Sequence, residues 1–372
     1  MNILFTCGGT AGHINPAVAL ARVFQSHHSN CNILFVGADG GMETRLVPKE
    51  GFECRTVTVR HLNHRKSLAA LKENLGVIAA LRTAHKQADA ILDEFKPDLV
   101  VGTGGYVCFP VIRAASRRHI PTAIHESNAV PGVTTKSLSG MVDLVMVGFE
   151  AARAHYGKVK RLEVTGTPVR PDFFRFTRQE ARAQLGITDD LPIVLSFWGS
   201  LGADRMNGYM EDFMARAQRE NAPFRHIHSA GRNFETMTAH LKEKGVDSAS
   251  AINLDLRNYI YDMPLVMAAA DLVLCRAGAA TLSELAAIAK PAILVPSPNV
   301  TADHQTKNAQ VFANAGGAIL LPEAECSGDA LYELVSNLLA QPEKRADMSR
   351  SLASLSTSDA AEGIYESLYS LL

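Results

Sequence analysis

Short, continuously apolar runs alternate with amphipathic stretches along almost the whole chain. Residues 2–7, 33–37, 99–102, 122–125 and 144–147 read as strands. They are uniformly apolar, not alternating, which predicts strands covered on both faces and therefore a parallel sheet. Between them, 17–27 and 68–94 carry the three- and four-residue apolar spacing of helices. Strand–helix alternation with buried strands predicts a doubly wound α/β domain. The pattern then restarts. Strands are expected at 193–197, 224–228, 271–275, 292–295 and 318–320, with helices near 207–219, 234–244, 264–270, 281–289 and 304–314. The stretch 164–171, with two prolines and a glycine, then the polar segment 175–190, reads as the linker. The expectation is two Rossmann-like parallel-sheet domains, 1–163 and 164–357, with 358–372 closing back on the first as a helix (apolar at Ile364, Leu368 and Leu371). A central cleft between the halves, at the carboxyl ends of both sheets, is the expected ligand site.

Composition narrows the partners. A length of 372 residues suits two domains, and 47% apolar with 20% charged residues is an ordinary globular balance. The net charge of −1 excludes nucleic acid held by bulk charge, so an anionic ligand must be met by local groups. Six scattered cysteines form no CxxC pair, which points to reduced thiols and away from a zinc ribbon. The start lacks the basic region of a signal peptide, and the longest nearly uncharged run, 99–112, is too short and glycine-rich to span a bilayer. The expectation is a cytosolic protein that can touch a membrane without crossing it.

The chemistry lies in four glycine-rich turns, each directly after a strand: 8–13, 102–106, 198–203 and 276–281. Glycine lets backbone approach a ligand, and a following helix offers amides and a positive end. The first turn is GGxxG, not the GxGxxG of dinucleotide folds, and one such turn could serve packing alone. Four of them suit a ligand with several phosphates, or two phosphorylated ligands. His13 ends the first turn at a helix start, where the positive helix end disfavours an imidazolium and a base is plausible; a capping histidine is the alternative. His125 and Glu126 follow another strand. Glu284, one turn into the last of these helices, can take ribose hydroxyls or merely face solvent. His304 and Gln305 can bind a sugar or cap a helix. There is no DxD-type carboxylate cluster for a metal, no GxxxxGK[ST] and no GxSxG.

Seven stretches in register resemble the MurG family of bacterial N-acetylglucosaminyltransferases. They are Gly8-Gly-Thr-Ala-Gly-His-Ile-Asn-Pro16, Gly102-Thr-Gly-Gly-Tyr106, His125-Glu-Ser-Asn128, Val164-Thr-Gly-Thr-Pro-Val-Arg170, Gly199-Ser-Leu-Gly-Ala203, Cys275-Arg-Ala-Gly-Ala-Ala-Thr-Leu-Ser-Glu284 and Asp303-His-Gln-Thr-Lys-Asn-Ala309. The resemblance implies a GT-B fold. It also implies inverting transfer, without metal or cofactor, of GlcNAc from UDP-GlcNAc to the MurNAc C4 hydroxyl of undecaprenyl-pyrophosphoryl-MurNAc-pentapeptide (lipid I to lipid II). The donor would lie on the second half. There Ser200 and the helix start Gly278, Ala279, Ala280, Thr281, Leu282 and Ser283 would meet the diphosphate, with Arg170 near the phosphates. Glu284 would take the ribose, the Ile260 backbone the uracil, and His304 with Gln305 the sugar. Thr10, Ala11, Gly12, Gly104, Gly105 and Asn128 would approach from the acceptor half. His13 is the expected base, with His125 and Glu126 orienting the acceptor or replacing it.

Ala11, Ser127, Trp198 and Leu201 depart from the family pattern, and Leu201 is left out of the expected site. A lipid acceptor implies an anionic membrane surface at the cytoplasmic face as partner. The basic 60–66 with the amphipathic 68–81 (Leu75, Val77, Ile78) is the candidate contact, or an ordinary loop and core helix. Another GT-B glycosyltransferase, a UDP-GlcNAc 2-epimerase and a non-catalytic nucleotide-sugar-binding protein are the alternatives.

Overall fold

The computed structural model describes residues 1–59, 68–199, 202–251, 253–300, 303–356 and 360–372, with backbone alone for 68–79. The chain divides into two compact units, Met1–Arg170 with Thr357–Leu372, and Pro171–Ser356.

The first unit holds seven parallel strands: β1 (Asn2–Thr6), β2 (Asn32–Ala38), β3 (Glu53–Val57), β4 (Leu99–Gly102), β5 (Thr122–Glu126), β6 (Leu144–Val147) and β7 (Leu162–Val164). Their order is β3-β2-β1-β4-β5-β6-β7. The helices between them are α1 (Ala11–His27), α2 (Glu43–Lys49), α3 (Leu68–Phe95), α4 (Cys108–Arg117) and α5 (Val133–Leu138). The strand period of two sorts the core. Ile3 and Phe5 point into one cluster with Phe24 of α1. Leu4, between them, points into the opposite cluster with Val111 and Ile112 of α4.

The second unit holds β8 (Ile193–Phe197), β9 (Arg225–Ser229), β10 (Leu254–Arg257), β11 (Leu272–Cys275), β12 (Ala292–Leu294) and β13 (Ala318–Leu320), all parallel in the order β10-β9-β8-β11-β12-β13. Its helices are α6 (Arg178–Gln184), α7 (Asp204–Arg219), α8 (Phe234–Glu243), α9 (Met263–Ala269), α10 (Ala279–Ala287), α11 (His304–Asn314), α12 (Gly328–Leu339) and α13 (Pro342–Leu355). Val194, Leu272 and Leu274 pack against Met210 and Phe213 of α7 and Val335 of α12. A final helix, α14 (Ala360–Tyr369), returns to the first unit and packs on α1. Phe24 meets the Tyr365 ring edge-on at 5.0 Å, and His28 Nε2 lies 2.8 Å from the Tyr365 hydroxyl.

The polar segment expected to continue the linker is partly helical. Thr177 and Glu180 form a reciprocal capping box that starts α6, and α6 packs on α9 inside the second unit. Three strands escaped the apolar-run criterion, β3, β7 and β10. The candidate membrane segment 60–66 and the side chains of Leu75, Val77 and Ile78 lie outside the described residues. Among the described residues no helix is long and apolar enough to cross a membrane.

Candidate active site

The strand orders place all four glycine turns. The first sheet reverses direction of growth between β1 and β4, the second between β8 and β11. Open parallel sheets leave a crevice outside the carboxyl ends of the strands at that reversal. The turns at 8–13 and 102–106 follow β1 and β4; those at 198–203 and 276–281 follow β8 and β11. Each unit therefore carries its own pair of turns at its own switch point.

In the first unit the two turns interlock. Gly8 N–H donates to the Gly104 carbonyl at 3.1 Å. A Cβ on Gly105 would sit 2.3 Å from the Gly8 oxygen, and one on Gly104 2.5 Å from His13 Cδ2. Both glycines also have positive φ, 117° at Gly104 and 91° at Gly105. The Thr103 hydroxyl donates to the His13 carbonyl at 2.7 Å, which ties the start of α1 to β4. His13 Nδ1 lies 2.8 Å from the Gly8 carbonyl oxygen. A carbonyl only accepts, so Nδ1 carries a proton, and in the neutral form of the ring Nε2 is bare. That is the tautomer a general base needs. The Gly8 and Gly9 amides are used inside the fold, on Gly104 and on the Glu43 carboxylate at 3.4 Å. Ala11 and Gly12, in the first turn of α1, are the amides that have no acceptor within the helix. Cys7 and Cys108 lie nearby, but burial pushes the Cys108 thiol up to about 12 and Cys7 well above its ordinary value, so neither supplies a thiolate.

His125 and Glu126 end β5 and are both buried. His125 Nε2 is 2.8 Å from the Gly166 carbonyl oxygen, and its Nδ1 is 3.4 Å from Ser127 Oγ. Burial holds the imidazole below its ordinary pKa. Glu126 clasps the following loop: one oxygen accepts Asn128 N–H at 3.0 Å and Asn128 Nδ2 at 2.8 Å, and the other accepts Gly132 N–H at 2.9 Å. Both residues are thus engaged in shaping the loop that presents Asn128. Arg170 is the last residue of this unit.

In the second unit a cavity of about 500 Å³ opens at the switch point. Gly199, Gly278, Thr281 and Gln305 line it, together with three cations, Arg205, Arg232 and Arg276. Two carboxylates, Asp204 and Glu323, also line it, leaving a net positive wall. Arg276 is held from three directions: its guanidinium donates to the Val295 and Pro296 carbonyls at 3.1 Å each, pairs with Glu323 at 2.6 Å, and lies 5.8 Å over the Trp198 ring. Gly278 is the N-cap of α10, with no side-chain cap and no acidic residue in the first turn, so the positive helix end stays uncompensated. Gln305 spends its oxygen on Ser297 N–H at 2.9 Å, which leaves its amide NH₂ as the group for a ligand. Glu284 and His304 are half-buried on α10 and α11, and Ile260 is buried in the loop between β10 and α9. Ala279 and Leu282 are buried; Ala280 and Ser283 are half-buried, the Ser283 hydroxyl donating back to the Ala279 carbonyl. Ser200 lies outside the described residues. Among the described residues no group of three His, Cys, Asp or Glu side chains gathers to hold a metal ion.

Residues 3–147 match the glycosyltransferase family 28 N-terminal domain and residues 193–364 its C-terminal domain. A UDP-N-acetylglucosamine–N-acetylmuramyl-(pentapeptide) pyrophosphoryl-undecaprenol N-acetylglucosamine transferase of Acetivibrio thermocellus is 40% identical over 98% of this chain and 97% of its own. The chain belongs to that transferase family. The crystal structure of Acinetobacter baumannii MurG superposes with a TM-score of 0.75 at 26% identity, covering 99% of both chains. A Neisseria meningitidis UDP-GlcNAc 2-epimerase shares the fold alone, with a TM-score of 0.69 at 14% identity and full coverage of both chains.

This transferase is a glycosyltransferase with the GT-B arrangement of two parallel-sheet domains. Three of its cavity-lining residues, Arg205, Arg232 and Arg276, were not in the sequence expectation. Arg276 had a signal, since it opens the fourth glycine turn; Arg205 and Arg232 are brought in by α7 and by the loop after β9 and had none. The transferase also gives a direct test of its interlocked turns. Gly104→Ala should cut turnover by about 10²-fold, because the new methyl displaces His13 and a shift near 1 Å is worth that much. Steady-state kinetics with both substrates measures it, and an unchanged kcat would show that His13 tolerates the displacement.

Proposed function

We propose that this enzyme transfers GlcNAc from UDP-GlcNAc to the C4 hydroxyl of MurNAc in undecaprenyl-pyrophosphoryl-MurNAc-pentapeptide, with inversion, in peptidoglycan synthesis. The observation that carries the reading is full-length similarity, at 40% identity, to a transferase named for that reaction. The second unit binds the donor. The start of α10, Arg276 and the positive cavity wall meet the diphosphate, whose charge grows as the bond to the sugar breaks; fixed dipoles and cations stabilise that charge without needing a metal. Arg170 and Ser200 add to the diphosphate contacts, Glu284 takes the ribose hydroxyls, the Ile260 backbone takes the base, and His304 and Gln305 read the sugar. The first unit binds the acceptor. Thr10, Ala11 and Gly12 at the start of α1 meet the lipid diphosphate, and His13 Nε2 takes the proton from the attacking hydroxyl. Asn128, held by Glu126, orients the acceptor, with His125 supporting the same loop. The basic segment 60–66 docks on anionic lipid at the cytoplasmic face of the membrane.

UDP release from UDP-GlcNAc, followed with and without a lipid I analogue, tests the reading. Release that requires the analogue supports it; release without any acceptor indicates an epimerase or hydrolase instead. Within that assay Glu284→Ala should raise the KM for UDP-GlcNAc roughly tenfold, the worth of a hydrogen bond to a charged group, with a smaller effect on kcat. An unchanged KM would remove Glu284 from the ribose site.

A further inference from the structure

Glu43, which the reaction scheme does not use, is fully buried beneath the first glycine turn. Three separate backbone segments converge on its carboxylate. Oε1 accepts Ala38 N–H at 2.7 Å, and Oε2 accepts Gly9 N–H at 3.4 Å. A Cβ on Gly8 would lie 2.7 Å from Oε1, one on Gly41 2.3 Å from the same atom, and one on Gly37 would overlap Glu43 Cγ. A buried carboxylate is costly unless hydrogen-bonded, so a pocket walled by three glycines around one is a built feature.

The decisive geometry is that Gly9 N–H and Gly8 C=O belong to one peptide group. In a trans peptide these two bonds point in opposite directions, and no cis peptide occurs among the described residues. Glu43 accepts from one end of that plane, and His13 Nδ1 donates to the other end at 2.8 Å. The order is carboxylate, peptide, imidazole. Each hydrogen bond polarises the next in the same sense, which strengthens the Gly8 oxygen as an acceptor. We propose that Glu43 is a positioning residue: through the Gly8–Gly9 peptide it fixes the tautomer and orientation of His13, as a carboxylate does directly in the Ser-His-Asp arrangement. Its role in turnover rests on His13 being the base, but its effect on the His13 tautomer does not.

The test uses the full-length enzyme in two measurements. Ring ¹⁵N shifts of His13 report the tautomer. In the wild type the proton sits on Nδ1; a proton on Nε2 overturns the proposal before any variant is made. Glu43→Gln keeps the volume, but an amide that accepts from Ala38 turns its NH₂ toward Gly9 N–H, donor against donor. It should shift His13 toward the Nε2–H form and lower kcat roughly 10- to 100-fold, a share of what a positioned base supplies. The KM for UDP-GlcNAc should stay unchanged, which also shows that the second unit remains folded. The variant carrying both Glu43→Gln and His13→Ala should turn over no more slowly than His13→Ala alone. Additive losses, or an unchanged tautomer in Glu43→Gln, overturn the proposal. If His13→Ala alone turns over normally, it is the base assignment that fails, and the tautomer result still decides the role of Glu43. Glu43→Asp, which keeps the charge but shortens the reach, gives an intermediate tautomer ratio should the glutamine variant not fold.

Discussion

Replacing His13 by alanine should lower kcat by about 10²- to 10⁴-fold, the range a positioned general base contributes. The KM for UDP-GlcNAc should remain near that of the native enzyme, because the proposed donor groups all belong to other residues. Three contacts make the expectation specific. The Gly8 carbonyl holds the proton on Nδ1, the Thr103 hydroxyl holds the His13 carbonyl, and Gly104, having no Cβ, lets the ring pack closely against its backbone. His13→Gln is the informative companion, since its amide can hydrogen-bond but cannot accept a proton to form a cation. If the glutamine variant keeps native turnover, His13 only positions the acceptor. If alanine keeps it, His13 is outside the reaction.

The second unit should lose stability steeply below about pH 6.5. His226 and His228 are buried side by side on β9, with Ser196 Oγ between them, 2.7 Å from His226 Nε2 and 2.6 Å from His228 Nδ1. Hydrogen-bond direction can be assigned along the chain. Asn207 Nδ2 donates to the Ala230 carbonyl, so Asn207 Oδ1, 3.3 Å from His228 Nε2, must accept. His228 Nδ1 is then an acceptor, Ser196 donates to it, and His226 Nε2–H donates to Ser196. With both rings neutral, every contact along this chain has one donor and one acceptor. Burial lowers the His228 pKa to about 3 and puts His226 well below its ordinary 6.5. On unfolding, both rings recover that ordinary value and take up protons that the folded chain refuses. Stability therefore falls as pH drops below 6.5, by about 1.4 kcal/mol per pH unit for each ring. By pH 5 the loss is about 2 kcal/mol per histidine, a large share of the 5–15 kcal/mol that holds a typical domain. Denaturant unfolding between pH 7.5 and 5, read at Trp198 in this unit, measures it; a flat profile would mean that protons reach the rings in the native state. Ser196→Ala removes the bridging hydroxyl and should cost about 1–3 kcal/mol at pH 7.5.

How much of this was legible in the sequence depends on where a residue sits in its sheet. The central strands β1, β4, β8 and β11 are covered on both faces, so they are apolar throughout and stand out. The missed strands β3, β7 and β10 are all at sheet edges. There the chain carries charges two residues apart, which share one face of a strand and pair: Glu53 with Arg55, Arg161 with Glu163, Asp255 with Arg257. Charged edges block pairing with other chains, but they erase the apolar run that marks a strand. The four glycine turns were legible because each directly follows a central strand. Glu43 was not, because it reaches the first turn only through the pairing of β1 with β2, which no local pattern encodes.

The return of α14 to the first unit also sets a timetable. His28 and Tyr365, which touch, stand 337 residues apart in the chain. During synthesis the whole second unit leaves the ribosome between them, and it has a sheet and core of its own, so it can fold as it emerges. The outer face of α1, with Phe24 at its centre, must wait for Tyr365 and Leu368 to cover it. Closing so long a loop is slow, because chain entropy is spent before the contact rewards it. The helix that presents His13 is therefore among the last parts of the protein to be sealed, and a nascent chain would have a finished second unit before it had a finished first.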